Sequence, residues 1–470
     1  MPSDPSAPTR RAVAAGLAVT LAGLRRPAWA QGGAAGAPPA APPEPTLRAA
    51  PLARRLRPDA PGEAALWGLD GQVPGPVVRI RQGAELRLRL VNETPAPLAL
   101  HWHGLRGPGA MDGVGGLTQA PVAPGQSFTY RFTPPDAGTF LIRPCVIGGT
   151  AEPLERGLSG ILVVEETNPP PVDADIAVVI DDWRLAEDGA LAPFGAPADA
   201  AAGRLGNWLT ANARPVPERI EVAPGSRVRL RLVNAANARA MRVRFDGLKP
   251  YVAAVDSTPT DTFEPLRASL PFVPGSRYDL LVDMPEEAGA AGSIVALLGE
   301  GIPLVTLATA GEPAGKRRPA LPPIGPLPRT ARLPPAIRLQ NAARKDVVLR
   351  TSLKPGQAPP SDPRGLWTVN GAPGTAGMPP LLSVKRGSPV VLALVNQTPA
   401  PQPFHLHGHA FRLLHPFDDG WEPYWLDTVL IPETKTVRIA FDADNPGKWL
   451  LESMVAERFD AGLWTWFEVT

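Results

Sequence analysis

The chain has 470 residues, a formal net charge of +2, 61 prolines, 46 glycines and one cysteine. That length holds about three domains of ordinary size, each able to bury its own core, and the near balance of charge leaves no footprint for nucleic acid or another polyanion. Cys145 has no second cysteine to pair with, which excludes an internal disulfide and rests stability on the cores.

The first element is a targeting segment. Arg10 and Arg11 precede the apolar run AVAAGLAVTLAGL, and Ala28-Trp29-Ala30 offers a small-residue cleavage site. Residues 1–30 therefore read as a signal peptide, with the mature chain starting near Gln31. The run is too short to leave a transmembrane span in the mature chain. The paired arginines suggest the twin-arginine route, which exports folded proteins, and the expected destination is the periplasm. Residues 31–46, QGGAAGAPPAAPPEPT, read as a flexible tether.

Three homologous units follow. VRIRQGAELRLRLVNETPAPLALHWHG (78–104) and LSVKRGSPVVLALVNQTPAPQPFHLHG (382–408) match in register, with Gly, Val-Asn and His-x-His at the same offsets. IEVAPGSRVRLRLVNAANARAMRVRFDG (220–247) keeps the Gly and the Val-Asn but has Val243 and Phe245 where the others have histidine. Apolar and polar residues alternate in each copy behind Pro-Gly or Arg-Gly turns, which predicts β-strands. The units define domains at 47–168, 169–311 and 366–470, with a proline-rich linker and lead-in over 312–365. The expected fold is all-β.

Within a strand, residues i and i+2 share a face, so each His-x-His presents two imidazoles side by side. His101, His103, His405 and His407 make up four of the chain's six histidines. A second repeated element follows in the outer units, APGQSFTYRFTPPDAGTFLIRPC (123–145) and IPETKTVRIAFDADNPGKWLLESM (431–454). Counting from Gly138 and Gly447, Arg143 and Cys145 occupy the positions of Glu452 and Met454. Packing of the outer units about a pseudo-two-fold axis would bring these side chains and the four histidines to one interface.

The segments HWHGLRGPGAMDGVGGLTQAPVAPGQSFTYRFTPPDAGTF, FHLHGHAF, DTVLIP and FDADNPGKWL resemble the multicopper oxidases, closest to the bacterial three-domain laccase-like and copper-resistance branch, over roughly residues 46–470. The resemblance implies three cupredoxin domains, each a Greek-key β-barrel or sandwich. It also implies a blue-copper site that takes electrons from substrate and a trinuclear cluster between the outer domains that reduces dioxygen. By position, His101 and His405 match the type 2 copper ligands, and His103 and His407 match one ligand each of the type 3 pair. The other ligand positions depart from the family: Arg143 and Cys145, Gln402, Glu452, Ser453 and Met454, Arg458 and Leu463 stand where it has histidine, cysteine or the axial methionine. A blue-copper site needs two imidazoles and a thiolate, so that centre is not expected here, nor is four-copper oxidase activity.

The candidate metal ligands are thus His101, His103, His405 and His407, with Cys145 and Glu452 as additions. Cysteine, histidine and carboxylate form a competent zinc set with one open position, and the type 2 pair suits a single copper. The competing arrangement is metal-free, an Arg143–Glu452 ion pair filling the vacated space. Asp112 resembles a family acid near the cluster and equally suits a turn before glycine. Met454, His409 and His415 read as structural or exposed. The expected function is a periplasmic scaffold that binds envelope proteins as a monomer, with a copper or zinc binding protein, or an oxidoreductase, as alternatives.

Overall fold

A computed structural model describes residues 45–470 except 317, 318, 331, 355 and 419. The expected signal peptide and nearly all of the expected tether lie outside the described residues. No helix among them is long and apolar enough to cross a membrane. Short helices aside, the regular structure among the described residues is β, arranged in six sheets, two to each repeat unit.

The alternation seen in sequence builds these sheets directly. In Leu86–Asn92, Leu86, Leu88 and Leu90 are buried and Arg87 and Arg89 exposed, the pattern of a strand with one wet face. The equivalent strand of the middle unit, Arg227–Asn234, is buried along its whole length. There Arg229 is held by Glu166 and Asp279, and Arg231 by Asp175, Asp279 and Thr139. A seam between two units covers both faces, and each buried guanidinium has carboxylate partners.

The shared Val-Asn acts as a turn lock. Asn92 Nδ2 donates to the carbonyls of Ala96 and Val122 (both 2.8 Å), while its Oδ1 accepts from Thr94. Asn396 repeats this with Ala400, Pro432 and Thr398, and Asn234 bonds Phe272 O and Arg239 O. One buried amide thus ties together the chain segments that lead into the His-x-His strand. Ala343–Thr351, inside the span expected as linker and lead-in, pairs in parallel with Ser388–Asn396, so the sheet of the third unit begins before residue 366. The proline-rich stretch packs on the barrels: Arg227 donates to Pro322 O at 2.7 Å, and Leu327 and Ile337 are buried.

Candidate metal centre

The outer units place their histidines by one register used twice. Leu100–His103 pairs antiparallel with Gly138–Pro144, setting His101 opposite Arg143. Gln402–Leu406 pairs antiparallel with Gly447–Ser453, setting His405 opposite Glu452. Arg143 and Glu452 are therefore pseudo-symmetric partners, as the alignment of the repeats requires. The glycine after each pair turns the chain at positive φ, and a Cβ there would collide: on Gly104 it would lie 2.2 Å from Arg277 Nη2, and on Gly408 2.2 Å from the Trp449 ring. Only glycine fits either place.

The four imidazoles converge in the buried interior. His101 stacks on His407 with ring centroids 3.9 Å apart, His103 stacks on His405 at 3.7 Å, and the two stacks meet with His101 and His405 at 5.6 Å. Three sets of donor atoms lie close enough to share an ion: His101, His405 and His407; His103, His405 and Asp427; and Cys145, His407 and Glu452.

Proton positions divide these sets. His407 Nδ1 lies 2.8 Å from Asp112 Oδ2 and its Nε2 lies 3.2 Å from Glu452 Oε1. Burial alone would lower its pKa, but the two carboxylates raise it to about 9, so the ring is an imidazolium with no lone pair to offer. Burial would likewise raise Glu452 and Asp112, yet Arg143 and His407 hold Glu452, and His407 and His101 hold Asp112, well below the usual carboxylate range. Arg143 Nη1 donates to Glu452 Oε1 at 2.7 Å and lies 3.5 Å from Met454 Sδ. The result is a buried chain of alternating sign: Arg143, Glu452, His407, Asp112. Cys145 sits 3.7 Å from Glu452 Oε2. Burial, then the Glu452 charge, pushes its thiol well above the ordinary value, so in this arrangement it is a neutral thiol.

The other three histidines of the cluster are neutral. Burial lowers His101, aided by the His407 charge, and lowers His103 further; burial takes His405 to about 4 against the pull of Asp427. His101 Nδ1 faces the Asp112 carbonyl at 2.8 Å and His405 Nδ1 faces the Asp427 carbonyl at 2.9 Å. A carbonyl only accepts, so both Nδ1 atoms carry the proton. Their Nε2 lone pairs then point at each other across 3.4 Å. Two nitrogens at that separation can each bind one ion at about 2.0 to 2.1 Å with an angle of roughly 110°. The expected type 2 pair thus fits a single ion.

Of the positions that match the family's blue-copper ligands, Gln402 and Arg458 are hydrogen-bonded to each other and Ser453 to the backbone of Val455. Arg458 Nη1 donates to Gln402 Oε1 at 2.9 Å, Gln402 Nε2 to Thr398 Oγ1 at 2.9 Å, and Ser453 Oγ accepts from Val455 N. Arg458 also stacks on Trp367 and donates to Ala201 O and Ala202 O at the end of the Pro197–Ala202 helix, whose Ala200 O accepts from Trp367 Nε1. A buried guanidinium with this many partners does not fit a copper ligand set, and neither does the Arg143–Glu452 pair fit a type 3 site. Arg458 and Trp367 together hold the carbonyl end of that helix.

Beside His103 and His405 lies a second charged group that sequence reasoning missed. Arg277 pairs with Asp427, and Thr428 Oγ1 lies 3.0 Å from His103 Nε2 and donates to Asp427 Oδ1 at 2.8 Å. Burial and the Asp427 charge push Asp256 up to about 7. The Asp-Thr-Val-Leu-Ile-Pro segment was a signal for Asp427, but nothing local marks Arg277 or Asp256, which another unit contributes. Asp112 turns out to serve both roles weighed for it: it caps the Gly109–Met111 turn and binds His407. His409 is buried among Phe441, Trp449 and Phe467, and Met454 is buried, both structural as expected; His415 is partly exposed beside Asp418.

Family models described as multicopper oxidase match residues 54–169, 201–296 and 337–470. Multicopper oxidase MmcO of Mycobacterium tuberculosis is 28% identical over 419 residues, covering 81% of this chain and 78% of its own. A laccase of Phlebia radiata is 28% identical, with 84% of each chain covered. The crystal structure of a multicopper oxidase from Pseudomonas thermotolerans superposes with a TM-score of 0.79 at 32% identity, over 90% of this chain and 98% of that one.

Proposed function

Because the chain belongs to the multicopper oxidase family, whose activity is copper-dependent oxidoreduction, and yet has charged side chains where the redox coppers would sit, we propose that it is a catalytically silent member acting as a binding or scaffold protein of the periplasm. The observation that carries this reading is the buried chain Arg143–Glu452–His407–Asp112. It places two cations where the family binds metal, and the low interior dielectric makes their repulsion of a third strong. Ser453 removes the thiolate and with it the route for electrons from the surface to the interior. The clamped Pro197–Ala202 helix supports the same reading, since its carbonyls hold the Arg458 guanidinium at the position of a blue-copper imidazole. The twin-arginine signal read from residues 1–30 supports export.

The test is oxygen uptake and visible absorption of copper-incubated protein with a phenolic substrate. The expected outcome is background uptake and no intense blue band; turnover or a blue band rejects the proposal.

One observation favours a second reading, the retention of a single ion between His101 and His405, whose Nε2 lone pairs face each other. A bound ion there would supply Lewis acidity, while the carbonyls of Asp112 and Asp427 fix the two tautomers. Metal titration followed by elemental analysis separates the readings. At most one copper or zinc per chain, abolished by His405→Ala, supports this site, and metal near zero leaves the scaffold alone.

A further inference from the structure

A cavity of about 360 Å³ opens between the second and third units. Its walls are apolar and aromatic: Phe263 and Leu270 on one side, Leu413, Tyr424 and Leu426 on the other. Phe263 and Tyr424 lie nearly parallel, 17° apart with centroids at 6.0 Å. At the mouth Leu266 is 82% exposed, among the largest exposures of any apolar side chain described, and the following Arg267 and Ala268 have φ of 54° and 48°. A non-glycine pair in that region is strained, and it follows directly on the exposed Leu266. The floor is formed by Asp256 and Thr428.

Charge at the floor is unbalanced. Arg277 is committed to Asp427 and stands 4.0 Å from Asp256, so one guanidinium faces two buried carboxylates. Asp256 accepts only long hydrogen bonds, from the backbone N–H of Thr428 (3.2 Å), Asp427 (3.3 Å) and Arg277 (3.4 Å). A carboxylate has about four acceptor positions, which leaves it short of strong donors. Arg242, the other charged residue of the lining, is solvent-exposed and bonded to Ser269, and water screens it.

A cavity of this size with apolar walls and a few converging polar groups is the usual form of a small-molecule site. We propose that it binds a small organic cation with an aromatic body, an arylalkylammonium: the ring lies between the apolar walls, and the ammonium donates to Asp256 and supplies the missing positive charge. Thr428 links this floor to the histidines, since its hydroxyl reaches His103 and His405. The inference does not depend on whether the chain is an oxidase or holds a metal.

Calorimetric titration with 2-phenylethylammonium tests it, beside phenylacetate, which keeps the ring and reverses the charge, and methylammonium, which keeps the charge without the ring. Saturable binding of the first alone is expected. Asp256→Asn should weaken it roughly tenfold or more. Tyr424→Ala, on the half-buried wall, should weaken it by a similar factor while the melting temperature stays close to that of the parent, which guards against a folding failure in the Asp256 variant. Absence of saturable binding, equal binding of phenylacetate, or affinity unchanged in both variants overturns the proposal.

Discussion

Arg143 and Glu452 are 1% and 0% exposed at the side chain, so each is the other's condition for burial. Removing one strands the partner: Arg143→Met should lower stability by about 3–5 kcal/mol, read as a fall in the midpoint of chemical unfolding. Arg143→Met with Glu452→Gln should recover most of that loss, because the pair is removed together. The position of His407 in the chain gives a pH dependence of defined sign. Its folded pKa of about 9 lies above an unfolded value of about 6.5, so its stabilisation is complete below about pH 6.5 and lost as pH rises through 9. Asp112 and Glu452, held low, contribute above about pH 4.5 and lose their contribution in acid. Asp256, raised to about 7, adds a fall between about pH 4 and 7. The stability difference between the parent and His407→Gln isolates the histidine, and it should shrink between pH 6.5 and 9. The pairing of residues 309 positions apart was legible because two copies of one repeat could be laid on each other. Arg277 and Asp256 were not, since they come from the unit without histidines and act only through packing across domains.

The turn lock made by Asn92, Asn234 and Asn396 explains why the dipeptide Val-Asn persists in all three repeats while the histidines do not. It fixes the entry of the following strand, whatever side chains that strand carries. Asn396→Ala removes one buried amide and leaves the Ala400 and Pro432 carbonyls and the Thr398 hydroxyl without it. A cost of about 2–3 kcal/mol is expected, measured by denaturant unfolding, with Asn92→Ala close to the same value. Strand positions were legible from alternation. Burial of Arg229 and Arg231 was not, because the same Leu-Arg-Leu pattern faces water in the first unit and a carboxylate-lined seam in the second. The proline-rich stretch read as a linker, and its composition carried no sign that Leu327 and Ile337 would be buried.

Across the whole molecule, the proposed reading rests on departures at several matched ligand positions at once, so no single reversion is expected to restore the family's centres. Ser453→Cys with added copper should give no intense blue band, because Gln402 and Arg458 still occupy the imidazole positions and are bonded to each other; absorption spectroscopy checks this. The fold itself was legible to the level of three double-sheet units. The contact between the Pro197–Ala202 helix and Arg458 was not, since that segment has no sequence feature that announces which guanidinium its carbonyls will meet.

Two of the three links in the chain Arg143–Glu452–His407–Asp112 join the first unit to the third, the span the family bridges with copper. On the reading proposed above, this would make a loss of the metal a one-way descent for the lineage. Restoring histidine at Arg143 leaves Glu452 charged without its guanidinium, and restoring it at Glu452 leaves Arg143 buried without a counter-ion. Each ancestral step, taken singly, passes through a less stable protein, and selection on stability would remove it before copper could return.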